Sequence, residues 1–313
     1  MGVRTRFAPS PTGFLHVGNI WVALWNWIWT RQHGGKIVLR IEDIDSQRSK
    51  DVYAKALQED LLWLGLDWDE GPGEIFSYGS CVQSERPARY ETILNRWKQA
   101  GRVYPCYCNR ARLLQIASAP HAGEARPLYD GRCRNLSGKE RETMRKTPSW
   151  RYRMERQTVC FDDLFLGREE RELHPGVDDF VVCRADGMMA YQLAAAADDG
   201  EMGITHVFRG RDLADSTFGQ IVLLQELGYT PPTYAHLPLL LDPNGVRLSK
   251  RQQGITVREL REKGQTAADI LGRLLWLAGA VSKPIPISAE EALRNISFDD
   301  CPRLRDAQII CEF

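Results

Sequence analysis

Over 313 residues, Lys plus Arg and Asp plus Glu balance at 41 each, for a net charge of zero; a sequence-blind coat for nucleic acid would be strongly basic, so that class is excluded while a local RNA-binding patch is not. A hydrophobic share of 43% fits a globular chain long enough to divide into two or three lobes. Eight cysteines are too sparse for a disulfide scaffold, and the most apolar run, IWVALWNWIW, is too short for a bilayer and is broken by Asn26.

In chain order, MGVRTR leads into no apolar signal region, and Arg6 stands where a myristoylation pattern needs Ser or Thr, so a cytoplasmic chain is expected. VRTRFA (3–8) reads as a short strand stopped by Pro9 and Pro11. A helix is expected from about Val17 to His33, because Trp21, Leu24, Trp25, Ile28 and Trp29 recur at three and four residues, with Gly34 and Gly35 ending it. KIVLRIED is a continuous apolar run of the kind buried on both faces of a sheet. Strand, turn, helix and strand make a βαβ unit, so the sheet is expected to be parallel, with helices on both faces.

Residues 51–66 and 86–100 read as amphipathic helices, and residues 103–160, with cysteines, turns and the basic stretch KERETMRKTPSWRYRMERQ, as an inserted lobe. DDFVVCRADGMMAYQLA reads as two strand-like runs around an Ala-Asp-Gly hairpin signal. DSTFGQIVLLQELG is an expected helix with Asp215 or Ser216 as cap and Gly228 as stop. DPNGVRLSKRQQG is a polar loop, TAADILGRLLWLAGA another helix, and the last thirty or so residues are weakly patterned. The expected division is therefore 1–102 and 161–240 as two halves of one α/β domain, 103–160 as its insert, and 241–313 as a loop followed by a short helical region.

The stretch RFAPSPTGFLHVGN lies between the first strand and the first helix, where open parallel sheets bind ligands. The helix N-terminus suits phosphate, and His16, Gly18 and Asn19 stand at its entrance. It is neither a G-x-x-x-x-G-K-[ST] nor a G-x-G-x-x-G loop. On composition alone a rigid turn with a capping histidine is the favoured reading, because one histidine beside a glycine is a weak signal. APSPTGFLHVGN, however, resembles the HIGH signature of class I aminoacyl-tRNA synthetases, and RLSKR (Arg247 to Arg251) resembles the partner KMSKS signature, with Arg, Leu and Arg at the first, second and last positions. The blocks RIEDIDSQR, DLLWLGLDWDEGP, DDFVVCRADGMMAYQLA and THVFRGRDLADSTFGQIVLLQELG are similar, in order, to the glutamyl/glutaminyl branch.

The chain runs about sixty residues past RLSKR. It therefore resembles the shorter members of the branch, the glutamyl-Q tRNA(Asp) synthetases, which lack a helical anticodon-binding domain. That resemblance implies ATP, L-glutamate and queuosine-containing tRNA(Asp) as partners, no membrane, and action as a monomer. It also implies one zinc ion in the insert. Cys106, Cys108 and Cys133 nearly complete the tetrahedral shell zinc prefers, in the pattern C-x-C, gap, Y-x-x-x-C. Tyr129 is the fourth ligand by resemblance, and His121, in the gap, is the chemically ordinary rival.

The implied first step joins a carboxylate to the α-phosphorus of ATP, with Mg2+ accompanying the nucleotide. Positioning and charge neutralisation suffice, because the carboxylate is already a nucleophile. By resemblance His16, Gly18 and Asn19 hold ATP, with Arg247, Ser249 and Lys250, and Lys250 follows charge onto the leaving pyrophosphate. The glutamate site is implied to be Arg6, Phe7, Ala8, Pro9 and Ser10, with Glu42 for the ammonium, Tyr191, and Arg209 beside Arg6 for negative charge. A plain ion pair with Arg40 or Arg48 is the competing reading for Glu42, and a core aromatic for Tyr191. Trp150 and Tyr152 in the basic stretch are RNA-contact candidates or part of a connecting surface. Rival functions are a tRNA(Glu)-charging enzyme without its usual domain, a non-catalytic glutamate or adenylate binder, and a nucleotidyltransferase acting on a small molecule.

Overall fold

The structure, a computed structural model, describes residues 2–109, 112, 129–246, 248 and 256–311. His121, Arg247, Ser249, Lys250 and Arg251 lie outside the described residues.

The opening βαβ unit forms as the sequence predicts. Strand β1 (Arg4–Phe7) leads through the proline-bounded turn into helix α1 (Val17–Gln32), and β2 (Lys36–Leu39) returns parallel to β1, pairing Thr5 with Ile37 and Phe7 with Leu39. His33 caps α1 and Gly34 takes a left-handed φ of 61° to leave it. Helices α2 (Asp51–Trp63) and α3 (Pro87–Gln99) follow, separated by the short antiparallel pair β3 (Ile75–Phe76) and β4 (Gly79–Ser80).

The insert begins with β5 (Val103–Cys106), continues through the short helix α4 (Gly138–Glu142), and pairs β5 antiparallel with β6 (Ser149–Tyr152). Strands β7 (Gln157–Asp163) and β8 (Gly167–Leu173) form a long hairpin, and β9 (Val181–Cys183) completes the small sheet on β6. That sheet thus takes its third strand from beyond residue 160, while β7 already belongs to the main sheet. The turn at Ala-Asp-Gly exists, with Gly187 at φ 85°, but the second arm pairs only at Met189. The run MMAYQLA then becomes α5 (Tyr191–Glu201) and not a strand. The alanines behind Tyr191 favour helix more strongly than the short apolar run favours sheet.

Strand β10 (His206–Gly210), helix α6 (Ala214–Leu227) and strand β11 (Thr233–Leu237) make a second parallel crossover. Helix α6 starts earlier than expected: Leu213 is its N-cap without a side-chain bond, Asp215 lies in its first turn, and Ser216 bonds the Leu213 carbonyl at 2.7 Å. Gly228 ends it in the left-handed region, φ 85°. Strand β12 (Leu239–Leu241), helices α7 (Val257–Glu262), α8 (Ala267–Leu277) and α9 (Ala289–Asn295), and strand β13 (Gln308–Ile310) complete the fold. β13 pairs parallel with β12, and Leu304, Ile309 and Cys311 are buried, so the weakly patterned tail seals a core.

The main sheet has the order β2-β1-β10-β11-β7-β8, parallel except for the antiparallel edge strand β8. Alternation along each strand divides the interior into two cores. Ile37, Leu39, Phe208 and Leu237 face α1 and the C-terminal helices, while Val38, Val207 and Tyr234 face α3, α5 and α6. The chain leaves β1 toward β2 on one side and reaches β10 on the other. This is the topological switch at which such sheets open a crevice beyond their carboxyl ends. Among the described residues, no helix is long and apolar enough to cross a membrane.

Candidate active site

A cavity of about 460 Å3 opens at that switch point. Residues 6–10, His16, Gly18, Asn19, Glu42, Tyr191 and Arg209 all line it. Of the expected small-molecule site, only the three residues outside the described ones are not placed there.

At the helix end, His16 and Asn19 form a reciprocal cap. The Gly18 N–H donates to His16 Nδ1 at 3.1 Å, and the His16 N–H donates to Asn19 Oδ1 at 3.2 Å. A Cβ on Gly18 would stand 3.0 Å from His16 Cε1, so glycine is what lets the ring fold back over the helix start. Leu248 is buried in the cavity wall, and its carbonyl would lie 3.8 Å from that same Cβ. Downstream, Thr256 bridges His16 and the Val257 N–H donates to the Leu15 carbonyl at 2.9 Å. Leu248 and Thr256, more than two hundred residues from His16 in sequence, therefore meet the first signature at one wall.

The other end holds two buried guanidinium groups. Arg6, 4% exposed, donates from Nε to Asp199 Oδ1 at 3.2 Å and from Nη1 to the Phe208 carbonyl at 3.1 Å. Asp199 also accepts from Arg40 at 2.7 Å, and Arg40 pairs with Glu42 at 3.1 Å. The ion pair expected as the plain reading of Glu42 therefore exists, with its carboxylate still on the cavity wall. Burial raises the Glu42 carboxyl against the opposing pull of Arg40 and Arg6. Asp199 is held below the usual carboxylate range: burial raises it, but Arg40 and Arg6 prevail.

Arg209 is also 4% exposed, and its partners differ in kind. Nε donates to His236 Nε2 at 3.0 Å, Nη1 to Gln220 Oε1 at 2.6 Å and Nη2 to Thr217 Oγ1 at 2.6 Å. All three acceptors are buried, and among the described residues no carboxylate lies within 4.0 Å of this guanidinium. Tyr191, at the first turn of α5, is 38% exposed, which places it at the cavity mouth and not in the core.

Sequence reasoning missed Asp199, Thr217, Gln220, His236 and Asp163, and named Arg40 only as an ion-pair partner of Glu42. The signal that could have found them is polarity in apolar surroundings: His236 interrupts YAHLPLLL, and Asp199 lies in an alanine-rich helix. Tyr152, an RNA-contact candidate, is instead core, stacked on Phe180 and edge-on to Trp97. Trp150 is half-buried with the Lys98 ammonium 4.4 Å from its ring.

In the insert, the sulfur atoms of Cys106, Cys108 and Cys133 lie within 4.8 Å of one another, a cluster that could hold a metal ion. Tyr129 Oη is 3.7 Å from Cys106 Sγ and accepts from the Cys133 N–H at 2.9 Å, so it stands at the same point. Arg151 donates to Cys106 Sγ at 3.3 Å and covers the Tyr129 ring, and Arg112 reaches Cys108 Sγ at 3.4 Å. Burial opposes ionisation of Cys106, yet Arg151 brings that thiol below its ordinary value. Burial and the neighbouring Cys106 push Cys108 up to about 12. Crowded thiols of this kind fit a soft divalent ion that replaces their protons.

The chain is 46% identical over 303 residues to a Glutamyl-Q tRNA(Asp) synthetase of Symbiobacterium thermophilum, covering 95% of this chain and 93% of the relative. It is 44% identical to a protein of the same description from Nitratidesulfovibrio vulgaris, covering 96% and 94%. The fold superposes with a TM-score of 0.80 and 27% identity on a glutamate tRNA ligase from Elizabethkingia meningosepticum solved with its amino acid, covering all of this chain and 67% of that one. Residues 2–285 match the family described as tRNA synthetases class I (E and Q), catalytic domain, and the chain belongs to it.

Proposed function

We propose that the chain joins L-glutamate to ATP as glutamyl-adenylate, releasing pyrophosphate, and transfers the glutamyl group to a hydroxyl of queuosine in the anticodon of tRNA(Asp), releasing AMP. The observation that carries the glutamate assignment is Arg209. Among the described residues its hydrogen bonds go to neutral acceptors, and a buried cation so held is costly unless an anion completes it. A substrate carboxylate entering the cavity supplies that anion. Arg6, with part of its fork engaged by Asp199 and Phe208, takes a share of the same negative charge. Glu42 faces the ammonium, and Tyr191 adds a polar contact at the mouth.

The α-carboxylate attacks the α-phosphorus in line and pyrophosphate leaves, so no general base is needed. His16 and Asn19 turn from capping α1 to contacting phosphate oxygens, beside the positive end of the helix. Lys250, Arg247 and Ser249 receive the leaving charge in this reading, a role resting on the resemblance of RLSKR to its signature. Magnesium carried with ATP adds charge neutralisation on the phosphates. Cys106, Cys108 and Cys133, with Tyr129 beside them, would hold one zinc ion that fixes the insert, and elemental analysis should return about one equivalent per chain, lost in Cys108→Ser. The RNA specificity rests on the two relatives named for it, which match this chain over nearly their whole lengths. A cytoplasmic location accompanies that substrate.

The test is transfer of labelled glutamate, with ATP, to tRNA(Asp) prepared with and without queuosine. Label on the queuosine-containing RNA alone is expected. Label on tRNA(Glu) instead would leave a tRNA(Glu)-charging enzyme, and glutamate binding without transfer would leave a non-catalytic binder.

A further inference from the structure

We propose that His236 is a positioning residue that holds the Arg209 guanidinium in place without neutralising it, and that Asp163 sets the tautomer which makes this possible. The inference rests on the reading of Arg209 as the glutamate-carboxylate group.

His236 is fully buried on β11, between an obligate donor and an obligate acceptor. Arg209 Nε can only donate, so His236 Nε2, at 3.0 Å, carries a lone pair. The ring proton is therefore on Nδ1, which lies 2.6 Å from Asp163 Oδ2 at the end of β7. Both ends require the same neutral tautomer. Burial lowers the affinity of the imidazole for a second proton, and Arg209 reinforces this against Asp163. Asp163 is itself anchored, its Oδ1 accepting from the Phe165 and Leu166 N–H groups at 2.9 and 3.0 Å.

The placement separates two needs. An arginine must be rigid to recognise a carboxylate by its fork. The simplest brace is a second carboxylate, as Asp199 braces Arg6, but a carboxylate on Arg209 would compete with the substrate for the same charge. Interposing a neutral imidazole keeps the Asp163 anion one ring away while its orientation still reaches the guanidinium. Gln220 and Thr217, both uncharged, fix the other two nitrogens, so every brace on Arg209 leaves its charge to the ligand.

Three variants test this in glutamate-dependent ATP–pyrophosphate exchange, with thermal midpoints measured alongside. His236→Asn ends short of Arg209, whereas His236→Gln places an amide oxygen near the lost Nε2. The glutamate KM is expected to rise about tenfold or more in the first and to recover to within about threefold of wild type in the second. Asp163→Asn leaves the imidazole present. Phe165 and Leu166 N–H groups favour the amide oxygen at the Oδ1 position over the single His236 N–H at Oδ2, so its NH2 faces Nδ1 and drives the proton to Nε2, against Arg209. Its glutamate KM should also rise about tenfold, with the ATP KM unmoved in all three. Equal glutamate KM in the Asn and Gln variants of His236, or a glutamate KM in Asp163→Asn matching wild type, would overturn the proposal. If Asp163→Asn does not fold, the His236 pair still decides. If the wild-type protein neither exchanges with nor binds glutamate, the reading of Arg209 fails and takes this inference with it.

Discussion

At one end of the cavity Arg6 and Arg209 are gripped by side chains from other strands and helices; at the other, the His16 ring accepts from the Gly18 N–H and Asn19 accepts from the His16 N–H, all within one helical turn. The first arrangement is costly to build and rigid once built, which suits a small ligand recognised by charge and shape. The second is cheap and local, and its hydrogen bonds must be exchanged when phosphate arrives. On the proposed function, the contrast assigns discrimination among amino acids to the braced end and response to the nucleotide to the self-capped end.

Breaking the braced end should cost most. Arg209→Ala is expected to lower kcat/KM for glutamate by roughly 10²- to 10⁴-fold, following the about 3–5 kcal/mol lost when one partner of a buried charge pair is removed. Exchange kinetics at varied glutamate check it, and a loss confined to the ATP dependence would reverse the assignment of the two ends. At the self-capped end, His16→Ala should cost about 1 kcal/mol of stability as a lost cap, and about 10- to 100-fold in turnover as a lost phosphate contact. Denaturant titration and kcat at saturating glutamate separate those two effects.

The smallest expected effect is a pH slope. His236 and His206 are both lowered chiefly by burial, so the folded chain refuses protons that the unfolded chain, near pKa 6.5, accepts. Their contribution to stability is therefore present above about pH 6.5 and is lost as pH falls below it. The slope is at most about 1.4 kcal/mol per pH unit for each histidine, and less for the half-exposed His206. The charged and titratable groups around His236 are Asp163, Arg209, Arg6 and Tyr234, and the lowered Asp163 titrates outside this window. Urea unfolding at pH 7.5 and 5.5 should show the slope, reduced in His236→Gln.

Much of the self-capped end was legible in the sequence, because its parts are neighbours: Pro9, Pro11, His16, Gly18 and Asn19 carry the turn, the cap and the family signature in one stretch. The braced end was legible only for the groups that touch the cavity. Arg6 and Arg209 stand in recognisable blocks, but their braces lie 8 to 193 residues away along the chain, and the local hint at Asp199, an acid in an alanine-rich helix, does not say which partner it meets. The same physics explains the other differences. Tyr152 reads as exposed beside basic neighbours, yet its strand turns it inward against Trp97. The tail after residue 281 is built from segments of three to seven residues, too short to show a period, and is ordered by what it covers.

The most direct measurement is amino-acid-dependent ATP–pyrophosphate exchange with glutamate and glutamine side by side. A cavity whose buried Arg209 waits for an anion predicts exchange with glutamate and, at equal concentration, a rate at least a hundredfold lower with glutamine. Comparable exchange with both would contradict the account, because the side-chain carboxylate would then not be what completes Arg209.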